Sequence, residues 1–181
     1  LLSKAKDAGS VLEVGSCFGQ TLKMLGNVSR PGAVVRSIDL GSTAVDLGPD
    51  MAPGEAIDLK PHLDKVVAYL NECGRKAEVL YADSKSKKAI KWAAECKPYD
   101  LILLDGDHSY EGVKADWKNY RRLGKMIAFH DIMLEELWPW WCSLKGKRHP
   151  VRSLEFVNDK TRIGFGIGVL VRERCNRRGP S

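Results

Sequence analysis

The side chains best suited to acid–base or metal chemistry follow an apolar run in the middle of the chain. The segment Asp105–Gly112 reads DGDHSYEG and comes directly after the apolar residues 101–104. A second polar pair, His130-Asp131, follows another apolar run further along. Carboxylates and imidazoles can move protons and can ligate cations. Because burying such charges without partners would be costly, we expect a metal ion or a satisfied polar network around them.

These two segments are predicted to meet at one edge of a parallel sheet. The carboxyl ends of neighbouring strands share that edge, which forms the ligand crevice of open α/β sheets. Asp105, His130 and Asp131 would then converge on one point, and oxygen-rich ligands with one imidazole suit magnesium or manganese. The alternative for His130 is a core histidine that is hydrogen-bonded to a neighbour.

An earlier segment, EVGSCFG, has the composition of a loop that lets a ligand approach the backbone. Gly15 and Gly19 lack a Cβ, so a ligand can come close without a clash. The GxGxxG pattern of a pyrophosphate cradle is not met, since Cys17 and Gln20 replace the later glycines. Glu13 would repel a diphosphate but would attract a cationic ammonium group. The alternative is a tight turn with no ligand.

Asp39 is the next candidate, because it ends the second predicted strand. A carboxylate at this place in a dinucleotide fold accepts hydrogen bonds from ribose hydroxyls. The alternative is an aspartate that caps a helix or faces a loop. With Glu13 and the two glycines nearby, the ribose role is the better interpretation.

Short β-branched runs alternate with helical stretches, which predicts a parallel sheet with right-handed crossovers. Two late strands without a helix between them predict an antiparallel hairpin. The fold class is therefore α/β: a Rossmann-like three-layer sandwich around a mostly parallel seven-stranded sheet with a C-terminal hairpin. The strands are predicted at 11–14, 33–38, 77–81, 99–104, 125–129, 151–157 and 164–171, and the longer helices at about 20–25, 59–70 and 134–144.

Helix boundaries rest on capping and breaking residues. Gly26 is predicted to end the first of these helices, and Gly74 the second. Ser84 and Ser109 are predicted N-caps of two further helices. Pro139 is predicted to kink or interrupt the last helix.

The stretch DGDHSYEGVKADW, with the pair after the fifth strand, resembles the metal-dependent sugar and natural-product O-methyltransferases. These are class I S-adenosylmethionine-dependent enzymes, and catechol O-methyltransferase is a more distant relative. The resemblance covers nearly the whole chain, and EVGSCFG is similar to the first motif of such enzymes. It implies S-adenosylmethionine as cofactor, a divalent cation (magnesium or manganese) and a small hydroxylated substrate such as a sugar or natural product.

Carried over position by position, the resemblance implies roles for individual residues. His108 would be the general base, while Asp105 and Asp131, with His130 as a third, would ligate the metal. The catechol-type enzymes have Asp-Asn where this chain has His130-Asp131, which leaves the metal and the part of His130 open. Asp83 would accept the adenine amino group, unless it only caps a helix. The implied cofactor-binding residues are Glu13, Gly15, Ser16, Gly19, Asp39, Leu40, Asp83, Ser84 and Asp105.

A mechanism follows as a hypothesis. A metal-bound substrate hydroxyl would have a lowered pKa, and His108 would accept its proton. The oxygen would then attack the sulfonium methyl group in line. The alternative for His108 is a residue at a helix N-terminus that faces water.

Composition limits the other classes of function. The net charge of +6 leaves a nucleic-acid partner as an alternative, but the basic clusters are scattered and favour a solvated surface. The five cysteines are widely spaced without a CxxC pair, which argues against a zinc site and against disulfides and favours the cytoplasm. No apolar run approaches the roughly 20 residues that span a bilayer, so no membrane association is expected.

Domain organisation is predicted to be simple. Residues 1–172 would form one methyltransferase domain, and 173–181 a basic disordered tail. Relatives usually carry an N-terminal helical cap, but only about nine residues precede the first strand here. The site would be open, or covered by a second copy in a homo-oligomer, or the chain is part of a longer protein. A cluster of Trp138, Trp140 and Trp141 either lines a substrate wall or packs against the sheet.

Two other functions compete with O-methylation of a small molecule. A nucleic-acid methyltransferase would account for the positive charge, but no NPPY-like motif is present. A non-catalytic nucleotide-binding module would keep the fold without turnover. The presence of Glu13, Asp39, Asp105 and His108 argues against such decay.

Overall fold

The computed structural model describes residues 1–43, 56–146, 151–156 and 166–172. The strands are β1 (Ser10–Val14), β2 (Val34–Asp39), β3 (Ser42–Thr43), β4 (Ile57–Asp58), β5 (Lys76–Tyr81), β6 (Tyr99–Leu104), β7 (Gly124–Phe129), β8 (Val151–Phe156) and β9 (Ile167–Arg172). The helices are α1 (Leu2–Ala5), α2 (Gln20–Val28), α3 (Lys60–Glu72), α4 (Lys87–Ala94), α5 (Tyr110–Tyr120) and α6 (Leu137–Gly146).

Seven strands form one sheet in the order β5-β2-β1-β6-β7-β9-β8. The five strands from β5 to β7 in that order pair in parallel, whereas β9 pairs antiparallel with both β7 and β8. The predicted fold class, including the C-terminal hairpin, is therefore confirmed. The chain order reverses at β1 and β6, and a ligand crevice is expected beyond the carboxyl ends of these two strands.

Each face of the sheet is covered by its own set of helices, which makes three layers. Alternate strand residues point to opposite faces. Leu12 and Ile102 pack in the cluster that contains buried residues of α4, α5 and α6. Val11 and Leu101 pack on the other face with buried residues of α1 and α2. The central strands β1 and β6 are thus buried on both sides, as the nearly continuous apolar sequence of β6 predicts.

Two helix boundaries differ from the sequence prediction. Gly26 lies inside α2 instead of ending it, and a Cβ there would come within 2.5 Å of Leu70 Cδ2 on α3. This glycine therefore allows two helices to pack closely. The N-cap of α4 is Ser86, whose hydroxyl accepts from the Ala89 N–H, so the predicted Ser84 cap is wrong. Ser84 Oγ is instead bonded to Asp116 on α5.

The other boundary signals behave as predicted or shift slightly. Ser109 caps α5 by accepting from the Gly112 N–H, and Gly74 follows α3 with a φ of +77°. The last helix begins at Leu137, three residues later than predicted. Pro139 therefore lies in its first turn, where a missing N–H removes no helical hydrogen bond.

Several predicted features lie outside the described residues. They are the basic tail 173–181, most of the loop between 40 and 55, and the facing ends of the predicted hairpin strands, 157 and 164–165. Among the helices that the structure does describe, none has the length and apolar character to cross a membrane.

Candidate active site

A cavity of about 570 Å³ opens beyond the carboxyl ends of β1, β2, β5 and β6. Its lining includes seven of the residues predicted to bind a cofactor or to act as base, which the fold thus brings together from distant parts of the sequence. The lining residues are Val14, Gly15, Cys17, Ile38, Asp39, Leu40, Ser42, Leu59, Ala82, Asp83, Ser84, Lys85, Asp105, Gly106, Asp107 and His108.

The loop after β1 approaches the loop after β6 too closely for any side chain at Gly15. This residue has a φ of +80°, and a Cβ would lie 2.4 Å from both Asp105 O and Gly106 Cα. Such a contact with backbone cannot be relieved by rotating a side chain. Gly15 therefore joins the two halves of the cavity wall. Gly19, also at positive φ, lies against Leu63 and Val66 of α3 and does not line the cavity.

The carboxylate of Asp39 is held by backbone N–H groups. Its Oδ2 accepts from Ser16 N at 2.8 Å and Cys17 N at 3.0 Å, and its Oδ1 accepts from Gly41 N at 2.7 Å. A carboxylate has about four acceptor sites, so one remains on Oδ1. Asp39 thus fixes the conformation of the glycine loop while keeping one lone pair for a ligand hydroxyl.

Behind this loop lies a buried polar network. Glu13 is fully buried, and its Oε2 accepts from the Ser16 hydroxyl at 2.5 Å. Ser16 Oγ is also 2.7 Å from Ser37 Oγ. Burial raises the pKa of Glu13 to about 8, despite the opposing hydrogen bond from Ser16. Glu13 and Ser16 do not line the cavity, so direct contact between Glu13 and an ammonium group stays a prediction.

The loops after β2 and β5 form the opposite wall. Leu40 lines the cavity with 64% of its surface exposed. Asp83 is exposed at the rim, and its Oδ1 accepts from Lys85 N at 2.8 Å. Its other oxygen is not used in this turn. Both residues therefore line the cavity, and their contacts with a nucleoside stay predictions.

The predicted catalytic and metal residues form one cluster at the β6 and β7 ends. His108 Nδ1 lies 2.9 Å from Asp131 Oδ2, and His108 Nε2 lies 3.3 Å from Asp105 Oδ1. His130 Nδ1 lies 2.7 Å from Asp131 Oδ1 and 3.2 Å from Asp105 Oδ1. Each imidazole thus lies against both carboxylates. The Asp131 side chain is almost buried, whereas that of His108 is half exposed toward the cavity.

This cluster changes the acid–base behaviour of its members. Hydrogen bonding to Asp105, against the cost of burial, raises the pKa of His108, and Asp131 adds to this effect. Burial raises the pKa of Asp131, although both histidines oppose the shift. His108 therefore binds a proton more readily than an exposed histidine. A proton taken up there is stabilised by two carboxylates.

The donor chemistry of the cluster suits a divalent cation, but its arrangement does not. Carboxylate oxygens and an imidazole are ligands for magnesium or manganese. The His108 ring, however, contacts Asp105 and Asp131 and bridges the two carboxylates. In the described part of the chain, no three or more His, Cys, Asp or Glu side chains are grouped so as to hold an ion. As placed, the residues do not fit a metal.

Sequence reasoning missed four residues around the cavity. Lys85 Nζ forms a 2.8 Å ion pair with Asp107 Oδ2 across the rim. Asp116 is buried on α5, where burial raises its pKa to about 6 despite a hydrogen bond from Ser84. Tyr120 O–H donates to the Ser84 carbonyl at 2.5 Å. A polar residue on the apolar face of a predicted helix is the one signal that could have indicated Asp116.

The tryptophans after β7 pack mainly within the protein. Trp141 is fully buried, and a Cβ at Gly168 would meet its ring at 2.6 Å. Trp140 makes edge contacts with Phe129 and Tyr110, with ring centroids 5.6 and 6.3 Å apart. Trp141 therefore packs within the protein, which is the second of the two interpretations of the tryptophan cluster. Trp140 does not line the cavity.

Comparison with known proteins shows the family to which the chain belongs. A model of the family described as "Methyltransferase domain" matches residues 12–132. That range contains the glycine loop, the Asp105–Gly112 segment and His130-Asp131. No curated protein is significantly similar to the chain.

Solved structures share the fold at low sequence identity. TomG, an O-methyltransferase from Streptomyces achromogenes solved with SAM, is 13% identical with a TM-score of 0.64, covering 95% of this chain and 77% of its own. An O-methyltransferase from Bacillus cereus, solved with SAH, is 14% identical with a TM-score of 0.58, covering 94% and 76%. An rRNA methylase from Streptococcus thermophilus is 10% identical with a TM-score of 0.61, covering 96% and 92%. These identities show a common fold and nothing finer.

Proposed function

Because the chain belongs to the methyltransferase domain family, we propose that it transfers a methyl group from S-adenosylmethionine to a hydroxyl oxygen of a small molecule. The observation that carries this proposal is the position of His108. Its imidazole reaches the same cavity as the glycine loop and Asp39, and it is backed by Asp131 and Asp105. A nucleoside held by the loops would thus lie beside a general base.

The charge of the cavity supports a cationic ligand. Four carboxylates line it, against one lysine that is already paired with one of them; the acids are Asp39, Asp83, Asp105 and Asp107. A sulfonium with an ammonium group is attracted by this field, whereas a diphosphate is repelled. The net charge of +6 belongs to the whole chain and not to this site.

Each part of the cofactor is assigned to the cavity residues that the sequence predicts to bind it. The free lone pair of Asp39 Oδ1 accepts from a ribose hydroxyl, and Leu40 covers a face of the adenine. The oxygen of Asp83 that is not bonded to Lys85 accepts from the adenine amino group. The Gly15 loop and Asp105 would hold the methionine part. These contacts are proposals on the residues predicted from sequence.

When bound, S-adenosylmethionine supplies an electrophilic methyl group on its sulfonium sulfur. His108 donates its Nδ1–H to Asp131, which orients the ring. The acceptor hydroxyl takes the place of Asp105 at Nε2, and this nitrogen then accepts a proton. The acceptor O–H gives this proton to Nε2 as its oxygen forms a bond to the methyl carbon. The carbon–sulfur bond breaks, and its electrons remain on the sulfur. Asp131 and Asp105 stabilise the resulting imidazolium, while the cavity walls align the reacting atoms.

The divalent cation implied by the resemblance has no step in this mechanism. Its predicted ligands Asp105, His130 and Asp131 contact one another and His108 directly.

The proposal is tested by transfer of a tritiated methyl group from S-adenosylmethionine. Phenols, catechols, glycosides and an unmodified RNA transcript serve as acceptors, each with wild type and His108→Ala. We expect label on a hydroxylated small molecule with the wild type, and a strong loss with the variant. Label on RNA alone, or equal labelling by both proteins, would contradict the proposal.

A further inference from the structure

A buried carboxylate outside the cavity holds one wall of it in place. Asp116 on α5 is only 1% exposed, and it is not among the lining residues. Its Oδ1 accepts the Ser84 hydroxyl at 2.7 Å. An ionisable side chain is rarely buried unless its interactions offset the free-energy cost of its desolvation. The catalytic step proposed above does not use this group.

A second α5 side chain holds the same residue. Tyr120 O–H donates to the Ser84 carbonyl at 2.5 Å, and Tyr120 is fully buried. Ser84 is thus fixed at both its hydroxyl and its carbonyl by residues one turn apart on one helix. The Ser84 hydroxyl does not cap α4, so its hydrogen bond with Asp116 is a tertiary contact and not a local helix signal.

Holding Ser84 in place also restricts the position of its neighbour, Asp83. Asp83 lies at the cavity rim, with one oxygen bonded to Lys85 N and the other without a hydrogen-bond partner among the described residues. The exposed ion pair between Lys85 and Asp107 contributes little to holding the segment, because surface pairs of this kind are weak. The partly buried bonds of Ser84 with Asp116 and Tyr120 are therefore the tertiary contacts that constrain where Asp83 points, and the bond with Asp116 is the one that holds the Ser84 side chain.

On the basis of the proposed function, we propose that Asp116 is a positioning residue for adenine recognition. Through Ser84, it fixes the Asp83 carboxylate where it accepts a hydrogen bond from the adenine amino group. Loss of Asp116 therefore weakens the discrimination between adenine and a base without that amino group. A residue with a purely structural role would not change this discrimination.

The test compares two ligands by calorimetry: S-adenosylhomocysteine and S-inosylhomocysteine, in which an oxo group replaces the amino group. We expect the wild type to prefer the adenosine compound by about tenfold or more, since a site built for a donor rejects its analogue. Asp116→Ala should bind S-adenosylhomocysteine about tenfold more weakly, with the preference reduced toward one. Asp116→Asn should retain most of the preference, because an amide oxygen also accepts from the Ser84 hydroxyl.

Asp100→Ala is the matched control for loss of a partly buried aspartate. Asp100 accepts from Gly9 N at 2.7 Å and pairs with Lys125 at the opposite edge of the sheet. We expect this variant to unfold at a lower temperature while keeping the wild-type ligand preference. Thermal unfolding without ligand is measured for every variant. Ser84→Ala removes the same hydrogen bond from its other end, and it carries the test if Asp116→Ala does not fold.

The outcomes separate this inference from the function on which it rests. If the wild type binds neither ligand, the proposed function itself is wrong. If the wild type binds both equally, or if Asp116→Ala and Ser84→Ala keep the wild-type preference, the positioning role is overturned. It is also overturned if Asp100→Ala loses the preference to the same degree.

Discussion

The two halves of the cavity are built by different forces. The loops after β1 and β2 are fixed by backbone geometry: Gly15 lies at positive φ, and three N–H groups bond Asp39. The loops after β6 and β7 carry a cluster in which each of two imidazoles has a nitrogen within 3.3 Å of both Asp105 and Asp131. An added carbon atom at Gly15 should therefore disrupt the first half, and loss of an ionisable group should disrupt the second.

Removing the base should give the largest effect. We expect His108→Ala to lower kcat by about 10²- to 10⁴-fold, the usual contribution of a general base, on any acceptor that the wild type methylates. Affinity for S-adenosylhomocysteine should stay near the wild-type value, because the nucleoside walls are untouched. Steady-state kinetics and calorimetry measure the two quantities.

The control for this variant is His62→Ala. His62 is an exposed histidine whose ring contacts Phe18 at 5.3 Å, outside the charged cluster. It should leave kcat near the wild-type value. If His108→Ala retained full turnover, the assignment of proton transfer to the half of the cavity that contains His108 would be wrong.

A single methyl group in the backbone-built half should have the next largest effect. We expect Gly15→Ala to weaken S-adenosylhomocysteine binding by about a hundredfold. It should also lower the free energy of unfolding by about 2 kcal/mol or more, because strain at positive φ adds to the backbone clash. Calorimetry and urea unfolding measure both.

Gly32→Ala separates the clash from the strain. Gly32 has a φ of +75°, but nothing lies within 4 Å of an added Cβ. Its substitution should cost about 1 kcal/mol of stability with unchanged ligand affinity. Equal affinities for the two alanine variants would show that the approach of the Gly15 loop to Asp105 does not matter for binding.

The buried acid behind the glycine loop gives a smaller, pH-dependent effect. The pKa of Glu13 is about 8 in the folded protein, against 4.5 for a free side chain. Between these values, the folded state binds more protons than the unfolded state, so Glu13 lowers the free energy of unfolding as pH rises. Glu13→Gln has no ionisable group at this position. Its free energy of unfolding should therefore rise relative to that of the wild type by about 1 kcal/mol or more between pH 5 and pH 8.

Urea unfolding of both proteins across this pH range measures the difference, in which the other ionisable groups largely cancel. The two curves should converge near the acidic limit. A constant difference at all pH values would mean that Glu13 is ionised in the folded protein, and that an acid behind the loop keeps its charge for the ligand.

A chelator should have the smallest effect. Since His108 bridges the two carboxylates, we expect EDTA to leave turnover unchanged and added magnesium or manganese to give no binding heat. Loss of activity in EDTA that manganese restores would show that the charged cluster opens to take a metal, as the resemblance implies. Calorimetry with each ion alone checks the same point without an acceptor.

Local sequence signals predicted the elements better than the contacts between them. The apolar runs of β1, β6 and β7 and the Ser109 cap depend on neighbouring residues, and they appear as predicted. Gly26 and Ser84 were misinterpreted because each makes a tertiary contact that mimics a local signal. From the sequence alone, a glycine that packs against a leucine of another helix cannot be distinguished from a glycine that ends a helix.

The candidate site shows the same limit. Parallel topology is enough to predict that Asp39, Asp105 and Asp131 meet at one sheet edge. The structure brings the first two into the lining of one cavity, with the third behind His108. The bridging position of the His108 ring, and the bond from Asp116 to Ser84, depend on side-chain placement across 32 or fewer intervening positions. No spacing rule encodes such placement.

A crystal structure of the complex with S-adenosylhomocysteine tests the central claim most directly. We predict the ribose hydroxyls at Asp39 Oδ1, the adenine amino group at Asp83, and the sulfur facing the His108 side of the cavity. A nucleoside bound elsewhere, or bound with its sulfur turned away from His108, would contradict the account.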